Sequence, residues 1–293
     1  MSFKFNFNQD NDDSENKQDD NEEKLREFNV KDDSTVELCA QSCHFTASEV
    51  KESDIEIEKV LFKNNYQLKK LMKPLDIKPP HLNKNSNNDY EKLLTKSDLI
   101  PGVYEGGFKL WECAIDVINY LIENKINLKG KKVLEIGCGH GLPGIYCLLN
   151  GAHVTFQDYN EEVLYKLTQP NVNINCNGDY EMIENNTHFI SGDWKFVSDI
   201  LSKEKFDYIL TSDTLYNVSS FSKLHSLISN HLEPIQGKCY LASKTYYFGV
   251  GGGIRKFEEL IEILDILNVI TVKDIKDGVS NVREIVEITL KKD

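Results

Sequence analysis

The sequence lacks any run that approaches the roughly 20 consecutive apolar residues of a membrane-spanning helix. Its opening stretch, MSFKFNFNQD, lacks the continuous apolar core of a secretory signal, so we expect neither a membrane span nor a leader. No segment repeats at the spacing of a solenoid. With 40% hydrophobic and 10% aromatic residues, the composition is typical of a globular protein.

Cysteine usage excludes a disulfide scaffold and argues against a zinc site. The seven cysteines are scattered and odd in number, which favours a reducing setting with free thiols. Cys39, Cys43 and His44 lie close together, but no second pair of ligands follows at the spacing of a zinc site. We therefore predict no metal.

Clusters of basic residues are scarce, and the net charge is −13. Unaided binding to a phosphate backbone depends on such clusters, so we expect no direct contact with nucleic acid. A basic protein substrate would instead be attracted to this chain. The acidity is equally consistent with a role in solubility alone.

The composition divides the chain into three parts. Residues 1–35 contain the Asn-, Asp- and Glu-rich run NQDNDDSENKQDDNEEK, which has too few branched apolar residues to bury a core, and we predict disorder there. Residues 36–96 form an N-terminal extension and linker, in which DIEIEKVLFK alternates as a strand does and KPPHLNKNSNNDY is a linker. Residues 97–293 have the alternating strand and helix patterns of an α/β domain.

Strands and helices alternate through the α/β domain. A helix is predicted over 109–124, and strands are predicted over 131–137, 153–158, 187–193, 206–213 and 237–247, each followed by a helix. Two strands joined by a glycine-containing loop end the sequence. This order predicts a Rossmann-like, seven-stranded sheet, mainly parallel with a terminal antiparallel hairpin and with helices on both faces.

The first predicted strand runs into the glycine turn VLEIGCGHGLPG, residues 133–144. The turn matches the dinucleotide pattern G-x-G-x-x-G, and this match alone is weak. Glu135 two residues before Gly137, followed by Gly139 and Gly141, favours S-adenosylmethionine, whose sulfur and ammonium are cationic. Asp158 at the end of the second strand suits the ribose hydroxyls of either cofactor. A turn without any ligand is the third interpretation.

The ends of the third and fourth strands carry further candidates. Asp193 and Trp194 in SGDW suit the amino group and the ring of adenine, although a strand-end aspartate and a core tryptophan are the simpler interpretation. Asp213 and Tyr216 in TSDTLYN are spaced to face the transferred methyl and to orient a nitrogen nucleophile. The alternative for Asp213 is a cap on the following helix.

Two loops complete the predicted site. The turn Glu105-Gly106-Gly107 precedes the helix at 109–124 and is placed to fold over the cofactor. After the fifth strand, SKTYYFGVGGG joins aromatic residues to a glycine run that suits a substrate entrance, or forms a plain connection.

Several stretches together resemble one family: SDLIPGVYEGGFKLWEC, VLEIGCGHGLPGI, FQDYN, SGDW, LTSDTLYN and LASKTYYFGVGGG. Residues 97–293 resemble the eukaryotic protein-histidine N-methyltransferases that modify a histidine of a large-subunit ribosomal protein. These are seven-β-strand methyltransferases and are similar to a group of protein-lysine methyltransferases. The glycine turn and Asp158 imply only the wider class, whereas GVYEGGFKLWEC and YFGVGGG are particular to the histidine enzymes.

The resemblance implies S-adenosylmethionine as the methyl donor and adds cofactor contacts. From the residues themselves, Trp111 reads as core and Glu112 as solvated, but the resemblance places both at the cofactor. The predicted cofactor contacts are Leu110, Trp111, Glu112, Cys113, Ala114, Glu135, Gly137, Gly139, Gln157, Asp158, Tyr159, Gly192, Asp193, Trp194 and Ser212. Asp213 and Tyr216 are the predicted catalytic residues, although the family pattern has glutamate where Asp213 stands.

The expected function is transfer of a methyl group to an imidazole nitrogen, the tele nitrogen, of a histidine in a large-subunit ribosomal protein. A protein-lysine methyltransferase of the same fold and a non-catalytic cofactor-binding factor in ribosome assembly are the alternatives. An NAD-linked oxidoreductase is disfavoured because no second, substrate-binding domain is evident. We expect a monomer in the cytoplasm and nucleus, with no membrane partner.

Overall fold

The structure is a computed structural model that describes residues 21, 24–28, 38–44, 55–77, 103–247, 249, 251–276, 278 and 282–292. Most of the segment predicted to be disordered, and the predicted linker KPPHLNKNSNNDY, lie outside the described residues. None of the helices in the described part of the chain has the length and apolar content of a membrane-spanning helix.

Ten strands occur among the described residues, and eight of them form one sheet. The strands are β1 Gln41–Cys43, β2 Ile57–Leu61, β3 Gln67–Leu71, β4 Lys132–Ile136, β5 His153–Asp158, β6 Thr187–Ser191, β7 Tyr208–Ser212, β8 Lys238–Lys244, β9 Leu267–Ile275 and β10 Arg283–Leu290. The order in the sheet is β1-β6-β5-β4-β7-β8-β10-β9, and β2 pairs with β3 as a separate hairpin.

The sheet confirms the predicted fold class. Strands β6, β5, β4, β7 and β8 are parallel, and β10 lies antiparallel between β8 and β9. All seven predicted strands are present, and β1 adds an eighth, antiparallel to β6. The chain leaves β4 towards β5 on one side and returns to β7 on the other, so a crevice opens at the carboxyl ends of these strands.

The helices cover both faces of the sheet. They are α1 Glu112–Glu123, α2 Leu142–Leu149, α3 Glu161–Val163 continued through a π-helical turn Leu164–Thr168 into Gln169–Asn175, α4 Tyr180–Asn186, α5 Trp194–Leu201, α6 Phe221–His231 and α7 Ile254–Leu264. One apolar core lies under α1 to α3 and the other under α5 to α7, so each face of the sheet is buried. Helix α4 was not predicted because its sequence is polar.

The N-terminal extension packs against the α/β domain. Asn171 and Asn175 of α3 accept the Leu71 and Lys69 backbone N–H groups of β3 at 2.8 Å, which satisfies an otherwise open strand edge. Residues 24–28 form a helical turn in which Phe28 is buried. At these residues the structure departs from the predicted disorder, because the Phe28 side chain is buried in the second core, the one under α5 to α7.

Candidate active site

A cavity opens at the carboxyl ends of the parallel strands. Twelve of the seventeen residues predicted from the sequence lie on its wall: Leu110, Trp111, Ala114, Gly137, Gly139, Asp158, Tyr159, Asp193, Trp194, Ser212, Asp213 and Tyr216. The loops after four neighbouring strands and the segment before α1 supply them. The crevice predicted from strand order is therefore a real concavity, lined by residues of several separate loops.

The glycine turn after β4 forms one wall of the cavity. Gly137 and Gly139 have φ values of +63° and +49°, in the left-handed region that favours glycine. A Cβ on Gly139 would lie 3.0 Å from the Gly107 carbonyl oxygen, and one on Gly137 would lie 2.8 Å from Thr214 Cγ2. Both glycines thus allow neighbouring loops to approach the turn closely.

Glu135 lies beneath the glycine turn and not on the cavity wall, and its contact with the cofactor stays a prediction. Its Oε2 accepts the Gly144 N–H at 2.8 Å, in the first turn of α2. A Cβ on Gly144 would come 2.5 Å from the same oxygen, so glycine is needed there. Burial raises the pKa of Glu135 to about 8. Its position indicates that it fixes the start of α2 under the turn.

Gln157 is a second residue that supports the wall without forming it. It is fully buried, and its Oε1 accepts N–H groups from Gly137 at 3.2 Å and from the Trp194 indole at 2.9 Å. Its Nε2 donates to the Gly192 carbonyl at 2.9 Å. Gln157 and Gly192 join the loops after β4 and β6, and their contacts with the cofactor stay predictions.

Asp158 ends β5 on the cavity wall. Its two carboxylate oxygens accept the Gly139 N–H at 2.9 Å and the Asn160 N–H at 3.1 Å. Burial raises the pKa of Asp158 to about 6, while the backbone donors act in the opposite direction. Each oxygen retains acceptor capacity for a hydroxyl group of a ligand.

Asp193 and Trp194 form the wall after β6. Asp193 caps α5 by accepting the Lys195 N–H at 2.9 Å, and its other oxygen pairs with Lys223 Nζ at 2.7 Å. The carboxylate therefore already has a cation and a helix terminus as partners. The indole of Trp194 is held by Gln157, so its ring has a defined orientation on the wall.

The segment before α1 closes the opposite side of the cavity. The Trp111 indole donates to the Gly106 carbonyl at 3.1 Å, and Lys109 Nζ lies 4.6 Å from the centre of the Trp111 ring. Leu110 and Ala114 face the cavity. Glu112 is exposed and Cys113 is buried, and neither is on the wall; their contacts with the cofactor stay predictions.

Asp213 follows β7 directly and is held by two donors. Its Oδ2 accepts the Cys113 N–H at 3.0 Å, and its Oδ1 accepts the Tyr247 hydroxyl at 2.6 Å. Its φ of +55° is unusual for a residue with a side chain and is characteristic of functional sites. Asp213 does not cap the helix that follows it, as the alternative interpretation expected; its carboxylate accepts from Cys113 and Tyr247, and Asn217 caps only the short 3-10 turn Val218–Ser220 before α6.

Tyr216 reaches across the cavity to the turn before α1. Its hydroxyl donates a hydrogen bond to the Glu105 carboxylate, and burial together with this carboxylate raises the pKa of Tyr216. The turn Glu105-Gly106-Gly107 lies on the wall, where the sequence had placed it. Two carboxylate–phenol pairs, Glu105 with Tyr216 and Asp213 with Tyr247, therefore lie at this end of the site.

Comparison with known proteins adds the family. A family model described as "Lysine methyltransferase" matches residues 87–248. The "Histidine protein methyltransferase 1 homolog" of Dictyostelium discoideum is 62% identical over 255 residues, which is 82% of this chain and 81% of that protein. The chain belongs to the family of histidine protein methyltransferase 1 homologues.

Other relatives match a smaller share of the chain. The bovine "Histidine protein methyltransferase 1 homolog" is 42% identical over 190 residues, 57% of this chain and 51% of that protein. The "EEF1A lysine methyltransferase 3" of Xenopus tropicalis is 31% identical over 139 residues, 46% of this chain and 56% of that protein. Similarity to histidine and lysine enzymes together reflects the methyltransferase domain that both contain.

Membership of this family makes S-adenosylmethionine the methyl donor and sets aside the dinucleotide interpretation. The cavity fits this group. A buried carboxylate, Asp158, an oriented aromatic ring, Trp194, and the backbone of Gly137 and Gly139 share one wall, as a nucleoside with a charged amino-acid end requires.

Sequence reasoning missed several residues in or next to the wall. Lys223 lies on α6, thirty residues after its partner Asp193, so no local pattern connects the two. His140 faces the cavity from the glycine turn, and burial lowers its pKa to about 4. Tyr247 lies in the predicted entrance loop, but its contact with Asp213 depends on how that loop folds back. Spatial proximity between separate loops is the signal that the sequence could not supply.

Proposed function

We propose that the protein is a protein-L-histidine N-methyltransferase. It moves the methyl group of S-adenosylmethionine to the Nε2, the tele nitrogen, of a histidine in a large-subunit ribosomal protein. The observation that carries this proposal is the buried carboxylate of Asp213, held by two donors on the wall of the cofactor cavity. The names of the histidine methyltransferase homologues support the choice of acceptor.

Methyl transfer to an imidazole does not require a strong base from the protein. A neutral imidazole, with a pKa near 6.5, already has a free lone pair at physiological pH, so its tautomer and its position decide the rate. Asp213 accepts the Nδ1–H of the substrate, which leaves the Nε2 lone pair for the methyl carbon. The N–C bond would form as the bond between the methyl carbon and the sulfur breaks, with S-adenosylhomocysteine as the leaving group. The ring becomes cationic, and its Nδ1 proton then passes to Asp213 and on to solvent. Tyr216 lines the channel beside it.

The chain's own residues hold the donor. When bound, S-adenosylmethionine supplies an electrophilic methyl group on a cationic sulfur. Asp158 accepts hydrogen bonds from the ribose hydroxyls, Trp194 packs on the adenine, and the positive-φ backbone of Gly137 and Gly139 leaves room for the amino-acid end. Leu110 and Ala114 complete the wall and exclude water.

We extend the proposal to partners and compartment. The net charge of −13 favours a basic protein substrate, as ribosomal proteins are, and disfavours direct binding to nucleic acid. The protein acts as a monomer, without a membrane partner. Because ribosomal proteins are made in the cytoplasm and assembled in the nucleus, we propose that it works in both compartments.

A protein-lysine methyltransferase is the second candidate, and one observation favours it. Glu105 and Asp213 place two carboxylates on the cavity wall, and an ammonium group suits such a pair. A lysine must lose a proton before it can attack, so this activity would rise steeply with pH, whereas transfer to histidine would level off above the pKa of the imidazole.

The deciding experiment uses labelled S-adenosylmethionine, the full chain and a cell lysate, followed by mass spectrometry of the labelled protein. Label on the tele nitrogen of a histidine in a large-subunit ribosomal protein supports the proposal, and label on lysine replaces it with the second candidate. Binding of the cofactor without transfer of label would leave a non-catalytic assembly factor. Asp158→Ala, which removes the ribose acceptor, is the control for cofactor-dependent labelling.

A further inference from the structure

The Asp213 carboxylate has one partner that lies outside the cavity wall. Tyr247, in the loop after β8, donates its hydroxyl to Asp213 Oδ1 at 2.6 Å but does not line the cavity. A bond of this length from a neutral hydroxyl to a carboxylate is in the range of charge-assisted hydrogen bonds. The tyrosine therefore contacts Asp213 from outside the cavity wall.

A third residue, Ser243, directs the hydroxyl proton of Tyr247 towards Asp213. Ser243 Oγ, on β8, lies 3.1 Å from the Tyr247 oxygen. Since the phenol donates to the carboxylate, the serine hydroxyl must be the donor in this second contact. Ser243 is fully buried and Tyr247 is half-buried, so the serine end of this chain of hydrogen bonds is shielded from water.

The tyrosine is itself held in place by close backbone contacts. The Tyr247 N–H donates to the Gly252 carbonyl at 2.9 Å, and the Gly251 N–H donates back to the Tyr247 carbonyl at 3.2 Å. A Cβ on Gly252 would lie 2.2 Å from the Leu215 carbonyl oxygen, so only glycine lets this loop reach the loop after β7. The glycine run thus fixes the aromatic residue against the segment that carries Asp213.

Asp213 needs such support because its backbone is in an unfavourable conformation. A φ of +55° at a residue with a Cβ persists only where the surroundings determine it. The Asp213 N–H still donates to the Ala242 carbonyl of β8 at 2.9 Å, which keeps the residue attached to the sheet. The Cys113 N–H and the Tyr247 hydroxyl then fix one carboxylate oxygen each.

We propose that Tyr247 is a positioning residue that holds the Asp213 carboxylate in the orientation in which it accepts the proton of the substrate imidazole. The proposal rests on the function proposed above, since it gives Asp213 a task at the acceptor. Within its loop, Tyr247 is the residue to which the proposal assigns this role. Tyr246, the neighbour, is 56% exposed and has no such contact with Asp213.

The test compares Tyr247→Phe with Tyr246→Phe in the full chain. Loss of one hydrogen bond to a charged group predicts a roughly ten- to hundredfold fall in kcat for Tyr247→Phe. The dissociation constant of S-adenosylmethionine, measured by calorimetry, stays within about twofold. Tyr246→Phe should match the wild type in both measurements.

A pH profile separates positioning from packing. Three groups face the Asp213 carboxylate: the Cys113 thiol of α1, Lys244 at the end of β8 and the Tyr247 phenol. The hydrogen bond from Tyr247 lowers the pKa of the carboxylate. Removal of that hydroxyl should move the acid limb of kcat to higher pH. An unchanged kcat, an unmoved limb, or a matching loss of cofactor affinity would each overturn the proposal.

Failure of this proposal is distinguishable from failure of the proposed function. Total labelled-methyl transfer is measured for both variants, and the modified residue is identified separately. If the wild type labels lysine, histidine methylation is wrong, but the ratio between the two variants still tests whether Tyr247 supports Asp213. If the wild type labels histidine and Tyr247→Phe equals it, only the present inference is wrong.

Discussion

The Cα of Gly192 lies directly against the backbone of Ala40. A Cβ built on Gly192 would come 2.5 Å from Ala40 Cα and 2.8 Å from the Cys39 carbonyl oxygen. In the same place the Asp193 N–H donates to the Leu38 carbonyl at 3.0 Å, and β1 pairs with β6. The N-terminal extension therefore supports the loop that carries Asp193 and Trp194 at the cofactor cavity.

The first prediction tests this contact with Gly192→Ala. The added methyl group must displace residues 38–40, so we expect the dissociation constant of S-adenosylmethionine to rise by about tenfold and the stability to fall by roughly 1–3 kcal/mol. Calorimetry and urea unfolding measure the two effects.

Gly130→Ala is the matched control. Gly130 also has a positive φ, +69°, but a Cβ added there would meet no atom within 4 Å beyond its chain neighbours. This control carries the backbone strain of an alanine without the collision. Equal cofactor affinity in the two variants would show that the contact with Ala40 has no role in the site.

The second prediction concerns Asp213→Asn. The amide keeps the shape of the side chain but is a poor proton acceptor, so we expect kcat to fall by about a hundredfold while the affinity for S-adenosylmethionine is unchanged. Steady-state kinetics measure kcat, and calorimetry measures the affinity for S-adenosylmethionine. A parallel loss of both would assign Asp213 to cofactor binding.

The pH dependence of the wild type gives a further check on Asp213. Burial raises its pKa above the usual aspartate value, so kcat should fall as the pH drops through that raised pKa. In Asp213→Asn this limb of kcat should disappear, whereas the limb of kcat/KM from protonation of the substrate imidazole, near pH 6.5, should remain. Retention of both limbs would contradict the assignment.

The third prediction concerns the buried carboxyl of Glu135. Its folded pKa of about 8 exceeds the usual 4.5, so the folded state binds the proton more tightly than the unfolded state. The stabilisation that this tighter proton binding gives to the folded state is complete below pH 4.5 and is lost as the pH rises towards 8. Glutamine does not titrate. Between pH 4.5 and about 8, the free energy of unfolding of Glu135→Gln should therefore rise relative to that of the wild type by about 1.4 kcal/mol per pH unit.

Urea unfolding at about pH 5.5 and about pH 7.5 measures this gain. Glu181→Gln, at an exposed position of α4, controls for the loss of one carboxylate at the surface. A stability difference between Glu135→Gln and the wild type that is the same at both pH values would mean that Glu135 is solvated in solution.

Local pattern was enough to predict most of the α/β domain. The segment HVTFQD gives β5 at His153–Asp158, the predicted bounds, because Val154 and Phe156 alternate with polar residues and β-branched and aromatic residues favour strands. The terminal strands were recognised for a similar reason, although the insertion of β10 between β8 and β9 is visible only in the sheet. Periodicity reports which residues are buried, but it does not report which strands become neighbours.

The departures from prediction arise where distant segments meet. The three residues of β1 carry no strand pattern and gain their conformation from β6, with Gln41 opposite Ser191. Glu135 and Gln157 each lie at or near the end of a strand, as Asp158 does, yet they point beneath the loops, and the sequence gives no sign of this difference. Asp213 was correctly singled out for the cavity, but its partners Cys113 and Tyr247 come from other elements.

The last prediction concerns Phe28, in the part of the chain that composition alone assigns to disorder. Its side chain is 1% exposed, its ring stacks on Phe221 with 6.3 Å between centroids, and Lys256 Nζ lies 5.1 Å from the ring centre. Phe28→Ala would leave a cavity beside α6 and α7, so we expect a loss of about 3 kcal/mol in the free energy of unfolding. Tyr180→Ala, at a 45% exposed aromatic residue, should cost far less. A loss for Phe28→Ala no larger than for Tyr180→Ala would mean that residues 24–28 do not pack on the second core in solution, because a buried ring cannot be removed without exposing its neighbours.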